Sequence, residues 1–442
     1  MSVNKLQKTS LSSLLSVALF SGMAQPVVAQ TSGLVDIYQM ALQYDPSLAQ
    51  AKAQYQSDQQ QLRALEGGLR PQIQADASYV NQNSISHASE VDSMDLSVTL
   101  NQSVYQHEMW ARIDQSELAL NASQLALKTA EQDLILKVTE AYFNVLLAQQ
   151  TLKLFQSREE SDRLQLESAT ASAEVGLASQ VDVLQAKSNY DISKSNRINA
   201  ENSLDIANEE LMKITGQAYG ALKTLPMTTK FPAYQLNLAD IEQTAQTQNL
   251  AVQSALAQSQ IAKQEIEVQK SGYWPTVSLQ ARLNDTSYDD APGVKDATGS
   301  AISFNVSMPI YSGGSTDANV SSARFQNQKS LEALRDSKNT ARLNARSQAR
   351  NIERGEVLIA ALREAVKSND AFLEAAEEGF KVGLKDLLEV FSARSNQVDA
   401  RKNLIEALHN QVLNSLRLEA ALGDLTEQDL IAFDQMLRTT AE

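Results

Sequence analysis

The sequence contains no cysteine. That excludes disulfides, thiolate metal sites, a cysteine nucleophile and a lipid anchor carried on cysteine. Glycine and proline are scarce, at 16 and 8 in 442 residues, and aromatic residues make up only 5%. So few turn-formers favour long helices over many short elements. Basic residues are outnumbered, 38 Lys and Arg against 53 Asp and Glu, for a formal net charge of −15. Such a chain has no general attraction for nucleic acid or polyphosphates, and no basic cluster or Gly-x-x-x-x-Gly-Lys-Ser/Thr loop offsets this. His87, His107 and His409 stand far apart and offer neither metal-ligand spacing nor an acid–base constellation. The sequence reads as a non-enzyme without metal or cofactor.

Long apolar runs are missing too. No internal stretch has the roughly 18 uninterrupted apolar residues of a transmembrane helix. The N-terminus alone is apolar: Lys5 and Lys8 precede a core from Leu11 to Phe20, then Val27 and Ala29 sit at the −3 and −1 positions of a cleavage site. Residues 1–29 therefore read as a secretory signal peptide. A secreted chain of this composition that meets a bilayer has to do so with β-strands.

What is present is present twice. The stretch from Leu34 aligns without gaps to that from Leu238, keeping Asp36 with Asp240, Ala41 with Ala245, Gly68 with Gly272 and Pro71 with Pro275. Later landmarks, Tyr105 with Tyr311, Gly176 with Gly383 and Gly216 with Gly423, drift by only three residues. This is a duplicated domain-sized unit, not a short solenoid repeat. The expected organisation is a first structural repeat over 30–233, a second over 234–430, and a tail over 431–442. Each repeat holds a helix, a β-hairpin (71–105 and 275–311) and a helical hairpin with its tip near 176 or 383.

The helical rods follow from missing breakers. Gln106 to Val175 has neither Gly nor Pro, and Ser315 to Glu378 has only Gly355. At 1.5 Å per residue each makes a rod of about 100 Å. The return helices, Ala178 to Thr215 and Lys385 to Leu422, are equally unbroken. The Val-Gly-Leu turns Val175, Gly176, Leu177 and Val382, Gly383, Leu384 then become hairpin tips.

The strands show strict alternation. Met94, Leu96, Val98 and Leu100 alternate with polar residues, as do Val277, Leu279, Ala281 and Leu283, and Ile302, Phe304, Val306, Met308 and Ile310; the stretch after Pro71 does so more weakly. Strands of about ten residues with one apolar face are the transmembrane β-barrel pattern. Tyr79, Tyr105, Tyr273, Trp274 and Tyr311 fall at the strand ends, where bilayer interfaces would lie. Val80 to Ser93 and Asn284 to Ser300 read as exposed loops. Four strands cannot close a barrel, and an open edge is not tolerated in lipid, so chains must associate. Two chains would give a filled barrel of about eight strands and three a wet one of about twelve; Ser97, Thr99, Ser278, Ser303, Asn305 and Ser307 favour three. A periplasmic or surface coiled-coil scaffold or adhesin without a pore is the alternative. It explains the rods but not the alternating strands.

The duplicated plan, the YSGG at Tyr311 to Gly314, the paired Val-Gly-Leu tips, the DVLQA at Asp182 to Ala186 and the ALGDLTEQDL at Ala421 to Leu430 resemble the TolC family of outer-membrane efflux proteins. Without a cysteine after the signal peptide, the chain is similar to the unlipidated branch. The resemblance implies a mixed α and β membrane protein: a homotrimeric channel-tunnel with a 12-stranded β-barrel in the outer membrane of a Gram-negative bacterium. A long α-helical coiled-coil barrel would extend into the periplasm, with an equatorial band from the segment near Gly216 to Tyr234. It also implies the passive exit duct of tripartite efflux pumps, of type I secretion systems or of both, opened at its tip by a periplasmic adaptor (membrane fusion) protein. Its further partners would be an inner-membrane transporter and outer-membrane lipid.

The resemblance places the pore constriction at Glu389, with Asp182 bracing the hairpins. Three Glu389 side chains around one axis would repel one another and attract cations. Phe380 and Lys385 occupy gate positions where other members have Tyr and Arg, and Ser392 one where a second carboxylate is common. The entrance is therefore expected to close with fewer polar contacts. The two Val-Gly-Leu tips would dock the adaptor.

Overall fold

The structure, a computed structural model, describes residues 31–83, 90–231, 237–289 and 295–438. The expected signal peptide lies outside them. The chain opens with α1 (Leu34–Tyr44) and α2 (Pro46–Gly67), where sequence periodicity suggests one helix. The break is chemical. Asp45 N-caps α2, accepting from the Ser47 and Leu48 N–H groups, and Pro46 supplies the preset φ of the first turn. The second copy repeats the break: Asn249 separates α5 (Leu238–Gln248) from α6 (Leu250–Lys270) and caps the latter.

Asp45 is fully buried and paired to Lys137 at 2.6 Å. Burial raises its carboxyl, but hydrogen bonds from Lys137, Ser47 and the Leu48 N–H outweigh that and bring it down to about 2. A carboxyl depressed on folding adds stability above its unfolded value, and that stability is lost as pH falls through the folded one. Thermal unfolding of Asp45→Asn is expected to show lower stability than wild type at pH 7 and a smaller loss between pH 4 and 2. Identical pH profiles would remove Asp45 from the acid response.

Four strands, β1 (Gln72–Asn83), β2 (Glu90–Gln106), β3 (Thr276–Asp289) and β4 (Ala297–Ser307), form one antiparallel sheet in sequence order. The central β2–β3 pairing joins the two copies. Register puts Ile73, Leu100, Ala281 and Ile302 in one row and Ala75, Val98 and Leu283 in the next. Side chains alternate across a strand, so the apolar residues of all four strands share one face. That face is bare: Ile302 is 80% exposed, and Phe304, Val306 and Leu283 are more than half exposed. The other face carries Gln74, Thr99 and Arg282 in one row, with Arg282 3.4 Å from Asp95.

The strands outrun their apolar alternation. β1 continues to Asn83 and β3 to Asp289, so much of the sequence expected to be loop is paired backbone. Tyr79 therefore lies inside β1, opposite Met94, and not at its end; its hydroxyl donates to Asp92 at 2.7 Å. Conversely β4 stops at Ser307, leaving Met308, Ile310 and Tyr311 outside it. Pro309 has no N–H to give a ladder. Tyr105 is the penultimate residue of β2 and stacks edge-on with Trp110 at 5.2 Å; Trp274 caps a 3₁₀ turn, Ser271–Tyr273, before β3.

The rods are α3 (His107–Glu174, 68 residues) and α7 (Ser315–Lys381, 67 residues). Their return helices are α4 (Gln180–Thr215) and α8 (Leu387–Leu422), each ending in a left-handed glycine, Gly216 or Gly423. Among the described residues no helix is long and apolar enough to cross a membrane. The main core lies mid-rod, where Tyr142, Phe143 and Leu146 of α3 meet Leu34 and Ile37 of α1, Leu211 of α4 and Leu416 of α8. Leu222 and the final helix α9 (Glu427–Asp434) close over it, tied by the Ser32–Leu222 and Thr224–Arg438 bridges. Residues past 430 are thus partly core, with Phe433 and Leu437 buried. His409 packs on Phe143 there, and burial pushes its imidazole down to about 4.

Candidate functional site

The far end of the rods carries the two turns singled out in the sequence. α3 ends in a Schellman motif: the Leu177 N–H reaches Ser172 O at 2.8 Å and the Gly176 N–H reaches Ala173 O at 3.0 Å, with Gly176 at φ +78°. α7 ends identically, with Leu384 to Gly379 at 2.8 Å, Gly383 to Phe380 at 3.0 Å and Gly383 at φ +74°. The left-handed residue explains the glycine. Leu177 and Leu384 project beyond it, 84% and 80% exposed, flanked by exposed Val175 and Val382.

The acids six residues past each glycine sit at the third position of the return helix. In the first tip, Ser179 N-caps α4 and Asp182 reaches back to the Ser179 N–H at 2.9 Å and hydroxyl at 2.7 Å. This is a capping box. Those two bonds hold the Asp182 carboxyl below its usual range. In the second tip Asp386 takes the cap, accepting the Glu389 N–H at 2.9 Å, which frees the Glu389 side chain. It pairs with Lys385 one turn back. Asp182 and Lys385 thus have partners within their own tips, and a contact between them is not among those of the single chain. Asp182 as a brace was expected from family likeness; its cap role was legible from the S-x-x-D spacing.

Phe380 is the informative departure. Without a hydroxyl, it packs against an apolar cluster drawn from both hairpins: Leu166 and Ala169 of α3, Val183 and Ala186 of α4, and Leu387 and Phe391 of α8. Phe380 therefore contributes apolar contact between the two tips. Ser392, next to Phe391 in sequence, is exposed. Among the described residues no group of three or more His, Asp or Glu is spaced to hold a metal ion.

The rods, the shared sheet and the paired tips now stand beside known proteins. The family model described as outer membrane efflux protein matches this chain twice, over residues 37–217 and 241–424. The chain belongs to the outer membrane efflux protein family. Each match covers one copy of the duplicated plan. Among curated members, Outer membrane protein TolC of Vibrio cholerae is 30% identical over 404 residues, covering 90% of this chain and 92% of that protein. TolC of Escherichia coli is 29% identical over 424 residues, 93% and 86% of the two chains. Proteases secretion protein PrtF of Dickeya chrysanthemi is 24% identical over 430 residues, 91% and 90%. The crystal structure of the Campylobacter jejuni CmeC outer membrane channel superposes with a TM-score of 0.77 at 16% identity, covering 92% of this chain and 90% of that one. The channel fold of this efflux protein family is therefore the fold of this chain.

Proposed function

We propose that this outer membrane protein is the passive exit duct of efflux and type I secretion machinery, working as a homotrimer. The supporting observation is the sheet: four strands spanning both copies, one bare apolar face, and edges at β1 and β4 unpaired within the chain. Apolar surface of that extent stabilises a strand in lipid, but free edges do not survive there. Pairing β4 of one chain with β1 of the next removes both edges, and three chains close a 12-stranded barrel whose lumen is the polar face. The two repeats, 30–233 and 234–430, then contribute alike to the wall, and the rods extend it into the periplasm as a helical barrel. Tyr105, Tyr273, Trp274 and Tyr311 would lie at the inner lipid interface, and Tyr79 nearer the outer one.

Nothing in such a wall performs chemistry or harvests energy. An inner-membrane transporter supplies both, and an adaptor bridges it to the exposed Val175–Leu177 and Val382–Leu384 tips. The test is fractionation with a heat-modifiable gel shift, followed by deletion. A detergent-resistant outer-membrane trimer, and a deletion strain sensitised to dyes and bile salts or lacking secreted proteins, support the duct. A soluble elongated species instead favours a scaffold.

Glu389 is proposed to ring the entrance, tempered by Lys385. Each Lys385–Glu389 pair cancels one negative charge, so the ring attracts cations less than three free carboxylates would. In planar bilayers, Glu389→Ala is expected to lower cation selectivity of the closed channel and Lys385→Ala to raise it. No change in either variant would take the ring elsewhere.

A further inference from the structure

Far from the tips, a pocket of about 500 Å³ opens between α1, α3, α6 and the turn that leads from α8 into α9. That volume falls in the range of small-ligand sites, about 300–1,000 Å³. One chain supplies every wall, so no neighbour is needed to complete it. Leu42, Ile135 and Leu250 make its apolar part. Its polar part carries three carboxylates: Glu131 of α3, Asp424 of the turn and Glu427, the first residue of α9. Gln132 ties the turn to α3 by donating to Leu425 O at 3.2 Å, and Gln39 donates to Glu427 at 2.5 Å. Tyr38 also lines the pocket. It is only 5% exposed, yet its hydroxyl has no hydrogen-bond partner among the described residues. A buried hydroxyl left without a partner is uncommon and asks for one.

The charge of this pocket is not compensated from within. Lys128 is the one cation on its wall; it is exposed and makes no ion pair among the described residues. Three carboxylates against one ammonium leave two negative charges. The groups around them register the excess. Burial, then the charges of Glu427 and Glu131, raise the Tyr38 hydroxyl above its ordinary range, so it keeps its proton close to both acids. Glu419 on α8 is raised by burial and then by Asp429 and Asp424. The fold does not require these acids. Gly216 and Gly423 are matching left-handed ends of α4 and α8, but Gln217 and Gly220 stand where the second turn has Asp424 and Glu427. Nor are the acids gathered tightly enough for a metal: among the described residues no group of three or more is spaced to hold one.

We propose that this pocket binds an alkylammonium group, its charge among Glu131, Asp424 and Glu427 and its stem along Leu42, Ile135 and Leu250. The Tyr38 oxygen accepts one ammonium hydrogen, which gives the buried hydroxyl its missing partner. Spread carboxylates beside an apolar wall suit an ammonium on a carbon chain better than a bare ion, because both parts of the ligand are then matched. A lysine side chain of another protein and a free diamine present this same chemistry. The site goes beyond the duct. It needs neither a pore nor a gate, and it holds one ligand per chain.

The experiment is titration calorimetry on the purified full chain in detergent. The probes are Nα-acetyl-lysine methylamide and cadaverine, with Nα-acetyl-norleucine methylamide as the uncharged control. A cationic probe is expected to bind once per chain and the control not at all. Glu131→Gln is expected to lower the affinity on the order of tenfold, the loss of one charge-assisted hydrogen bond. Tyr38→Phe should lower it as well, and Lys128→Met should raise it by removing the competing charge. Asp424→Asn serves where Glu131→Gln does not fold. Tighter binding of the lysine analogue assigns the site to a polypeptide partner, and tighter binding of cadaverine to a free diamine. No saturable binding of either cation, equal binding of the norleucine analogue, one ligand per three chains, or an affinity indifferent to the acid substitutions overturns the site and leaves the duct standing. A chain that binds one probe but conducts nothing in planar bilayers removes the duct and keeps the site.

Discussion

Phe391→Ala is expected to loosen the closed entrance more than any single charge substitution at the tips. Phe391 is 6% exposed within the patch where α3, α4, α7 and α8 meet, and it touches residues of both hairpins' cluster. Truncating a buried phenylalanine costs about 3–5 kcal/mol. The Lys385–Glu389 pair at the same tip is half exposed, and such pairs contribute about 0.2–1 kcal/mol. The apolar patch therefore dominates. The mid-rod core is remote from it, so the trimer should still assemble. Single-channel recording and sensitivity to large antibiotics that wild-type cells exclude both measure the leak. If Lys385→Ala leaked as much as Phe391→Ala, the apolar account of closure would be wrong.

Gly383→Arg is expected to reduce drug resistance to the level of a deletion strain while leaving the trimer intact. A Cβ at Gly383 meets nothing within 4 Å, so the side chain has room. The cost to the fold is the left-handed φ of +74°, about 1–2 kcal/mol for an L-residue. What changes is the surface: a long cation at the crest of Val382 and Leu384, where an adaptor would pack. Gly383→Ala is the control, carrying the same strain without bulk or charge. Resistance retained in Gly383→Ala and lost in Gly383→Arg isolates docking. Equal loss in both would assign the defect to the turn.

Several of these features were readable before the structure. The rods needed only an absence of breakers, and the strands announced themselves by alternation, because both signals are local. The split at Asp45 was less visible: the N-cap and Pro46 interrupt the backbone while the helical spacing of apolar residues continues on both sides. Strand ends were misjudged for a different reason. Alternation reports where lipid contact stops, whereas the hydrogen-bond ladder continues to Asn83 and Asp289 and quits early at Ser307, before Pro309. At the tips, Asp182 and Glu389 stand at the same spacing, and the different roles expected of them, brace and pore constriction, came from the family resemblance and not from the residues themselves. Only the cap residue, Ser179 in one and Asp386 in the other, separates them. Asp162 and Arg394 gave no sign at all, as one acid and one base among many on long polar helices. They pair, at 3.2 Å, only where the two hairpins touch.

The order of the sheet has one more consequence. Within the chain, β2 of the first copy meets β3 of the second. In a ring, β4 of the second copy meets β1 of the next first copy by the same kind of step. In the proposed trimer, lipid would face six near-equivalent hairpins and could not distinguish a joint inside a chain from one between chains: the wall would have pseudo-sixfold symmetry. The tips do not. In each chain one tip carries a self-contained Ser179–Asp182 box and the other presents Lys385 and Glu389, so in the proposed trimer symmetry would drop from six to three along the length of the tube. A docking protein that arrives in sixfold copies would meet two kinds of seat in alternation, and could bear unequally on them.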